Sequence, residues 1–169
     1  PVTLTVDDMY SLMPYENSLL VLEMNGPQLK TVLERAYRNY WWYKYDPDYG
    51  GFSHYTTCML TTDSGNVITY DEKSVSVPGD TPPDGDNVVS LELAGVPVDF
   101  TDADTYYNVS SVNYLAAGSC NFNNAGVTLW PLDQIVADTQ FYVRDSVIDY
   151  ITAMGTISPA IEGRLMFIP

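Results

Sequence analysis

The stretch VNYLAAGSCNF, residues 112–122, decides how the rest of the chain is interpreted. The residues just before it, YYNVSSV at 106–112, are rich in β-branched and aromatic side chains, which favour a β-strand. Small residues follow, among which Gly118 can adopt a positive φ, and small residues let a ligand approach backbone N–H groups closely. The large ring of Tyr114 stands at the start of this turn. We therefore predict a strand followed by an open loop that presents one tyrosine.

Two interpretations of Tyr114 are open at this point. A tyrosine beside an open loop can stack on a flat ligand such as a nucleobase, an interaction worth about 1–3 kcal/mol per base. Alternatively, Tyr114 is a core residue that closes the strand, because many tyrosines are simply buried. The exposure of the ring in the folded chain distinguishes the two interpretations.

The composition indicates a globular chain with few basic residues. The 169 residues are 46% hydrophobic and 17% charged, which suits one domain with a substantial core. The net charge of −15, with only seven Lys and Arg, argues against a nucleic-acid polymer or an anionic membrane as a partner. We find no apolar run long enough to span a membrane and no signal peptide. Cys58 and Cys120 are either free or joined in one bridge, and the sequence leaves this open.

The order of apolar patterns predicts an α+β fold with a mixed β-sheet core, two long helices and several β-hairpins. We expect residues 18–24 and 106–112 to form inner strands, with the two long helices covering apolar faces. Asp138 or Thr139 is expected to cap the last helix, with Phe141 pointing inward. The predicted helices cover residues 6–13, 27–40 and 139–154, and the predicted strands cover residues 18–24, 56–62, 67–70, 88–93, 96–100, 106–112 and 164–168.

Short local signals mark several element ends. Thr5 followed by Asp8 resembles a capping box at the start of the first helix. Asn25 and Gly26 are predicted to form a turn, after which Pro27 suits the first helical position. Turns are also expected at 63–66 and 94–95, and Gly155 is expected to end the last helix.

Chemical motifs are scarce along the chain. His54 is the only histidine, so no site with a pair of histidine metal ligands is possible. No serine lies in a nucleophile elbow, and no glycine-rich phosphate loop occurs. Aspartates cluster at two places, namely Asp80, Asp84 and Asp86, and Asp99, Asp102 and Asp104. Neither cluster fits the EF-hand loop, so we interpret both as solvated loops and expect no complete active site in this chain.

An aromatic cluster follows the first long helix. It consists of Tyr40, Trp41, Trp42, Tyr43, Tyr45, Tyr49 and Phe52. Such a cluster can bind a sugar or a base, or it can be a helix end packed on a loop. The second interpretation is favoured because aromatic side chains dominate core burial.

Three segments, in matching order and spacing, identify a family resemblance. They are LMPYENS at 12–18 with LEMNGPQLK at 22–30, NYLAAG at 113–118, and SPAIEGRL at 158–165. This set resembles the C-terminal domain of the 5′-nucleotidase family, which includes UDP-sugar hydrolases and 2′,3′-cyclic-nucleotide 2′-phosphodiesterase/3′-nucleotidases. The resemblance extends over nearly the whole chain.

The resemblance implies a role in substrate binding. In that family an N-terminal metallophosphoesterase domain with two divalent metal ions performs hydrolysis, and the C-terminal domain holds the base between two aromatic rings. Those two rings correspond to Tyr15 and Tyr114, and tyrosine at both positions looks more like the cyclic-phosphodiesterase branch. Ser119 and Cys120 stand where relatives usually have a second glycine and a ligand-contacting aspartate. Further substrate contacts are expected at Asn17, Asn113, Gly118, Ser119 and Asn121.

The domain organisation expected from this resemblance is a single domain over residues 1–169. Because the chain starts at Pro1 without Met, we expect the catalytic domain and its metal ions upstream, with no cofactor in this part and no hydrolysis by it alone. We expect a secreted, periplasmic or cell-surface protein. The alternative is a non-catalytic ligand-binding or surface-interaction module that uses the aromatic cluster at 40–52. Metallophosphoesterase motifs upstream would distinguish the two.

Overall fold

The computed structural model describes residues 3–45, 58–72 and 86–169 of the chain. Among the described residues, helices and strands are interspersed, with runs of successive strands rather than a regular alternation, which confirms an α+β fold. The helices are α1 (Val6–Leu12), α2 (Gly26–Tyr45), α3 (Asn113–Ala116) and α4 (Val143–Met154). The strands are β1 (Ser18–Asn25), β2 (Val67–Asp71), β3 (Val88–Leu93), β4 (Val96–Pro97), β5 (Tyr106–Val112), β6 (Asn123–Asn124), β7 (Val127–Thr128), β8 (Ile135–Tyr142) and β9 (Leu165–Ile168).

The first sheet contains three antiparallel strands in the order β5-β1-β8. β1 lies in the middle, and its Leu20, Leu22 and Met24 side chains are buried. This confirms the expectation that residues 18–24 form an inner strand. The start of β1 lies beside the end of β5, with Leu19 opposite Val112.

The second sheet has the order β4-β3-β2-β9 and is mixed, because β2 and β9 are parallel and the other pairs are antiparallel. The hairpin between β3 and β4 turns at Ala94 and Gly95, as predicted. Both turn residues have positive φ, 51° and 78°. Such a turn matches the right-handed twist of the two strands.

Helix α2 supplies much of the core. Its buried apolar side chains recur at helical spacing and include Leu29, Val32, Leu33, Ala36, Tyr37 and Trp41. The Tyr37 ring stacks on Tyr70 of β2 at a centroid distance of 5.3 Å, and Tyr70 in turn stacks on Phe167 of β9 at 5.7 Å. The second sheet is therefore packed on α2 through aromatic rings.

The aromatic cluster of residues 40–52 lies only partly within the described residues. Trp41 is fully buried, and Tyr40 packs against Phe167 at a ring distance of 5.0 Å. These two side chains therefore belong to the folded body, as expected for a helix end packed on its neighbours. Outside the described residues lie Tyr49, Phe52, the only histidine His54, and two of the clustered aspartates, Asp80 and Asp84.

The junction of β1 and α2 differs from the predicted turn, because the strand enters the helix directly at Gly26. The side chains of Asn25 and Gln28 each accept a hydrogen bond from the other's backbone N–H, at 3.1 and 2.9 Å respectively, which satisfies groups at the helix start. A Cβ on Gly26 would collide with the carbonyl oxygen of Asp99. Glycine is needed here for a close backbone approach.

The prediction that residues 106–112 form an inner strand is wrong. Among the residues that the structure describes, β5 pairs with β1 alone and lies at the edge of its sheet. Its exposed side chains alternate along the strand, which is typical of a strand with one solvated face. The other side of β1 is occupied by β8.

The predicted helix at 139–154 begins at Val143 instead, because residues 135–142 form the strand β8. These residues form a strand and not a helix because they pair with β1, and the Thr139 hydroxyl also donates to the carbonyl oxygen of Leu19 at 2.8 Å. Asp138 and Thr139 therefore do not cap the helix. Phe141 is 66% exposed rather than inward. The helix does end at Gly155, as predicted.

The predicted strand at 56–62 does not form in its described part, residues 58–62. β2 already pairs with β3 on one side and with β9 on the other, so no free edge of β2 remains for this segment. The turn at 63–66 is present, with the N–H of Asn66 donating to the carbonyl oxygen of Asp63. Within the described ranges, no helix has both the length and the apolar character needed to cross a bilayer.

Candidate functional site

The two tyrosines singled out by the sequence lie at the same end of the three-stranded sheet. Tyr15 belongs to the loop before β1, and Tyr114 follows β5 at the start of α3. Because β1 and β5 are antiparallel, the segment that precedes one strand meets the segment that follows the other. We call residues 13–17 the Tyr15 loop and residues 113–126 the Tyr114 segment.

Both rings are open to solvent. Tyr15 is 75% exposed and Tyr114 is 44% exposed. Neither side chain fills the core, so the interpretation of Tyr114 as a core residue is wrong. Both side chains are therefore accessible from solvent.

Asn113 links the two tyrosine-bearing segments. Its side-chain Oδ1 accepts from the N–H of Ser18, at 3.1 Å, and from the N–H of Tyr114, at 2.9 Å. On the other side of β1, the N–H of Val143 donates to the carbonyl oxygen of Asn17 at 2.9 Å. The end of the sheet therefore joins the Tyr15 loop, α3 and α4.

Arg144 of α4 supports the Tyr15 loop from behind. Its guanidinium Nη1 donates to the carbonyl oxygen of Met13 at 3.1 Å, and its central carbon lies 3.8 Å from the centre of the Tyr10 ring. The residue is 4% exposed, and its Nε lies 3.9 Å from the Asp145 carboxylate. A buried arginine that pairs with a ring and a backbone carbonyl fixes the loop by charge-assisted contacts. No sequence signal identified this residue.

Two residues of α2 support the Tyr114 segment. Arg35 donates to the carbonyl oxygens of Asn121 and Asn123 and to the side chain of Asn124, the last two at 2.7 Å. Asn39, which is buried, donates to the carbonyl oxygen of Cys120 at 2.8 Å. No sequence signal identified either residue as a support, because their partners lie 86 and 81 residues further along the chain.

A disulfide joins Cys58 to Cys120, which resolves the question that the sequence left open. Cys120 and the next residue, Asn121, both have positive φ, at 54° and 62°. Two consecutive non-glycine residues with positive φ are strained, and this backbone conformation is kept only where surrounding contacts impose it. The disulfide, Arg35 and Asn39 together provide such contacts.

The further residues expected to touch a substrate make internal contacts in this structure. Gly118 has φ +92°, and an added Cβ would lie 3.2 Å from that of Asn123. The N–H of Ser119 donates to the carbonyl oxygen of Tyr114 at 3.3 Å, and the Asn121 side chain donates to Asn39 at 3.3 Å. These contacts shape the loop, and a direct role in ligand contact stays a prediction for all five residues, including Asn17 and Asn113.

A metal centre does not fit the part of the chain that the structure describes. Within it, no group of three or more His, Cys, Asp or Glu is arranged to hold a metal ion. The Asp99 and Asp102 carboxylates instead accept hydrogen bonds in their own turns. Hydrogen bonds from the Thr101 and Thr105 side chains hold the pKa of Asp99 and of Asp102, respectively, below the ordinary value. We therefore derive no metal chemistry from these residues.

Comparison with known sequences identifies one family. The model for the family described as 5′-nucleotidase, C-terminal domain, matches residues 2–126, a range that includes both tyrosines. A search of curated protein sequences found no match. The matched range covers more than half of the chain.

Comparison with solved structures shows the same fold in larger proteins. The chain is similar to a 5′-nucleotidase precursor from Thermus thermophilus, at 23% identity and a TM-score of 0.68 over 98% of this chain and 28% of that one. It is similar to the NAD nucleotidase NadN of Haemophilus influenzae, at 19% identity and a TM-score of 0.63 over 97% of this chain and 26% of that one. It is also similar to the sulfate thiohydrolase SoxB of Thermus thermophilus, at 18% identity and a TM-score of 0.57 over 98% of this chain and 25% of that one.

The chain thus spans about a quarter of the length of these solved relatives. At these identities the similarity concerns the fold. The relatives include a thiohydrolase as well as nucleotidases, so the fold alone does not determine the substrate.

Proposed function

Because the chain belongs to the 5′-nucleotidase C-terminal domain family, we propose that it binds the nucleoside part of a nucleotide for a metal-dependent hydrolase. The observation that carries the proposal is the pair of exposed rings, Tyr15 and Tyr114, at one end of the three-stranded sheet. In this proposal the two rings enclose the base as a clamp. The hydrolytic centre, with two divalent metal ions, belongs to a metallophosphoesterase domain elsewhere in the same protein.

Stacking is the interaction that this end of the sheet is suited to provide. Each aromatic ring that covers a base contributes about 1–3 kcal/mol, and rings on supported segments lose little freedom on binding. The segments that carry Tyr15 and Tyr114 are tied together by Asn113. Asn113 therefore couples the start of β1, just after the Tyr15 loop, to the segment that carries Tyr114.

The charges near the clamp favour recognition of the base over recognition of the phosphate. Arg35 and Arg144 donate to carbonyl oxygens behind the two loops. A substrate phosphate needs metal ions or cationic donors. We infer that the phosphate is bound by the catalytic domain.

The finer assignment is to a cyclic-nucleotide phosphodiesterase/3′-nucleotidase that acts outside the cytoplasm. Tyrosine at both clamp positions supports the phosphodiesterase branch. The Cys58–Cys120 disulfide supports an oxidising compartment, because disulfides persist mainly in secreted, periplasmic and cell-surface proteins. The alternative assignment is a 5′-nucleotidase that uses the same clamp.

Titration calorimetry with adenosine tests the clamp. Tyr15→Ala and Tyr114→Ala are each expected to weaken binding by about 1–3 kcal/mol, because each removes one stacking surface. Phenylalanine at either position keeps the ring and is expected to recover most of the affinity.

Tyr106→Ala is the matched control. Tyr106 is 47% exposed and lies at the opposite end of β5, where it faces Asn25 across the sheet. Its loss is expected to leave adenosine binding unchanged. Equal affinity in wild type and in both clamp alanine variants would overturn the proposal.

A further inference from the structure

We propose that Asn113 is a positioning residue that sets the spacing between the Tyr15 and Tyr114 rings. The inference rests on the proposed function, because it concerns the same clamp. It assigns Asn113 a role different from that of a ligand contact. The side-chain oxygen acts on two backbone segments, and these segments carry the rings.

One hydrogen-bond acceptor lies where the start of β1 meets the end of β5. Asn113 Oδ1 lies 3.1 Å from the backbone nitrogen of Ser18 and 2.9 Å from that of Tyr114. Ser18 is buried, so its N–H needs a partner within the protein. One oxygen atom therefore satisfies both N–H groups and holds them at a fixed separation.

The position of Asn113 at the start of α3 suits its side chain to accept hydrogen bonds from backbone N–H groups. Val112 occupies the N-cap position and makes no side-chain hydrogen bond to the helix. An asparagine at this point can accept from a nearby backbone N–H, as these side chains often do at helix starts. Here it accepts from Tyr114 and also reaches Ser18, which lies far earlier in the chain.

The position of Tyr15 depends on the same contact. Ser18 is held by Asn113 on the β5 side, and the carbonyl oxygen of the preceding Asn17 accepts from Val143 on the α4 side. A shift of Ser18 therefore moves the chain that leads to Tyr15 relative to Tyr114. Loss of the Asn113 oxygen should change the gap between the rings without removing either ring.

Three substitutions separate positioning from the other possible roles. Asn113→Ala removes the acceptor. Asn113→Ser is too short to reach Ser18 but can still accept from the N–H of Tyr114, so it keeps the local cap. Asn113→Asp keeps an acceptor of the same shape and removes the NH₂ donor that a ligand contact would use.

Adenosine affinity of these variants is measured by calorimetry. Asn113→Ala and Asn113→Ser are expected to bind about fivefold more weakly, the loss that corresponds to one hydrogen bond. Asn113→Asp is expected to recover most of the affinity. In a Tyr15→Ala background, Asn113→Ala is expected to change affinity by less than about twofold, because no second ring remains to be positioned.

Amide hydrogen exchange gives a readout that needs no ligand. In Asn113→Ala, exchange is expected to accelerate at Ser18 and Tyr114 together and to stay unchanged in the middle of α2. In Asn113→Ser, exchange is expected to accelerate at Ser18 more than at Tyr114. Unchanged exchange at Ser18 in both variants would overturn the bridging geometry.

The outcomes distinguish this inference from the proposed function. If the clamp tyrosine variants lose affinity but Asn113→Ala and Asn113→Ser bind as the wild type does, only the positioning role is overturned. If Asn113→Asp loses as much affinity as Asn113→Ala, the amide contacts the ligand directly and the positioning role is again overturned. If wild-type protein does not bind adenosine, the proposed function fails and this inference fails with it.

Discussion

The Tyr15 loop and the Tyr114 segment present the same side chain on very different supports. Behind Tyr15, Arg144 donates to the carbonyl oxygen of Met13. The Tyr114 segment is held by Arg35, Asn39 and a disulfide. The two tyrosines also differ in exposure, because Tyr15 is 75% exposed and Tyr114 is 44% exposed.

Because the supports differ, we expect the two rings of the proposed clamp to have different roles in binding. A ring on a cross-linked segment keeps its position when a ligand arrives, whereas a ring on a loop with fewer restraints can adjust to it. We therefore expect Tyr114 to act as the fixed platform and Tyr15 as the ring that closes onto the base. Substitutions in the two supports should separate these roles.

The largest effect is expected from removal of the disulfide. Cys58 and Cys120 are 62 residues apart, and a bridge over such a distance contributes about 2–4 kcal/mol by restricting the unfolded chain. The Cys58→Ala, Cys120→Ala double variant should unfold at a clearly lower temperature in a thermal melt. It should also bind adenosine more weakly, because the platform loses a restraint.

A reductant supplies the control for this experiment. It should lower the melting temperature of the wild type towards that of the double variant and leave the double variant unchanged, since the chain has two cysteines in all. Equal melting temperatures for wild type and double variant would show that the bridge does not support the Tyr114 segment.

The next largest effect is expected from Arg144 behind the Tyr15 loop. Arg144→Ala removes a buried charge-assisted hydrogen bond, a loss of about 1.5–3 kcal/mol in the free energy of unfolding. It also removes the contact with the Tyr10 ring. Urea titration measures the loss.

Arg144→Lys is the matched variant, because it keeps the charge and loses the planar group that covers Tyr10. It should fall between wild type and Arg144→Ala in stability. A stability equal to that of the wild type in both variants would mean that the Tyr15 loop does not depend on this support.

A smaller effect is expected from Arg35, which is only half-buried. Arg35→Lys keeps the charge but cannot reproduce the fork in which Nη1 donates to the carbonyl oxygens of Asn121 and Asn123 and Nη2 donates to the side chain of Asn124. We expect a loss of about 1 kcal/mol in the free energy of unfolding, near the usual net value of a hydrogen bond. Adenosine affinity should fall more than in Arg38→Lys, a substitution of another arginine of α2. Equal adenosine affinities of the Arg35→Lys and Arg38→Lys variants would show that Arg35 does not help to hold the Tyr114 segment.

The smallest effect concerns α1, which leads into the Tyr15 loop. Hydrogen bonds from the Thr5 side chain and backbone lower the pKa of Asp8 below its ordinary value of 3.8. A carboxyl whose pKa is lower in the folded state stabilises the fold above the unfolded value and loses this contribution as the pH falls through the folded value. Circular dichroism should therefore show loss of helix in acid, below pH 3.8.

Asp8→Asn identifies the share of Asp8 in that acid transition. Asp99 and Asp102 also have lowered pKa values and titrate in the same direction, so the wild-type curve contains all three groups. The difference in stability between wild type and Asp8→Asn should be at its full, constant size above pH 3.8 and should vanish as the pH falls below the lowered pKa of Asp8. A difference that does not depend on pH would contradict the role of the carboxylate charge.

Features governed by neighbouring residues were predictable from the sequence. The capping box of Thr5 and Asp8 and the turn at Ala94 and Gly95 both form as expected. The continuous apolar run of β1 also indicated its central place. The family resemblance, which rests on the order of three segments, is confirmed by the match over residues 2–126.

Features governed by distant partners were not predictable in the same way. Residues 135–142 contain β-branched and aromatic side chains next to a helical pattern, and pairing with β1 made them a strand. The partners of Arg35 and Arg144 lie 86 and 131 residues away, respectively, in the contacts to Asn121 and Met13. Of the candidate site, the two tyrosines were found from the sequence, whereas their supports required the folded chain.

The base clamp is tested most directly by nuclear magnetic resonance of the wild-type chain with adenosine. Intermolecular nuclear Overhauser effects report which protein protons lie close to the H2 and H8 protons of the bound adenine. We predict contacts from the adenine to the ring protons of both Tyr15 and Tyr114 in the same complex. Contacts to one ring alone, or to neither, would contradict the clamp.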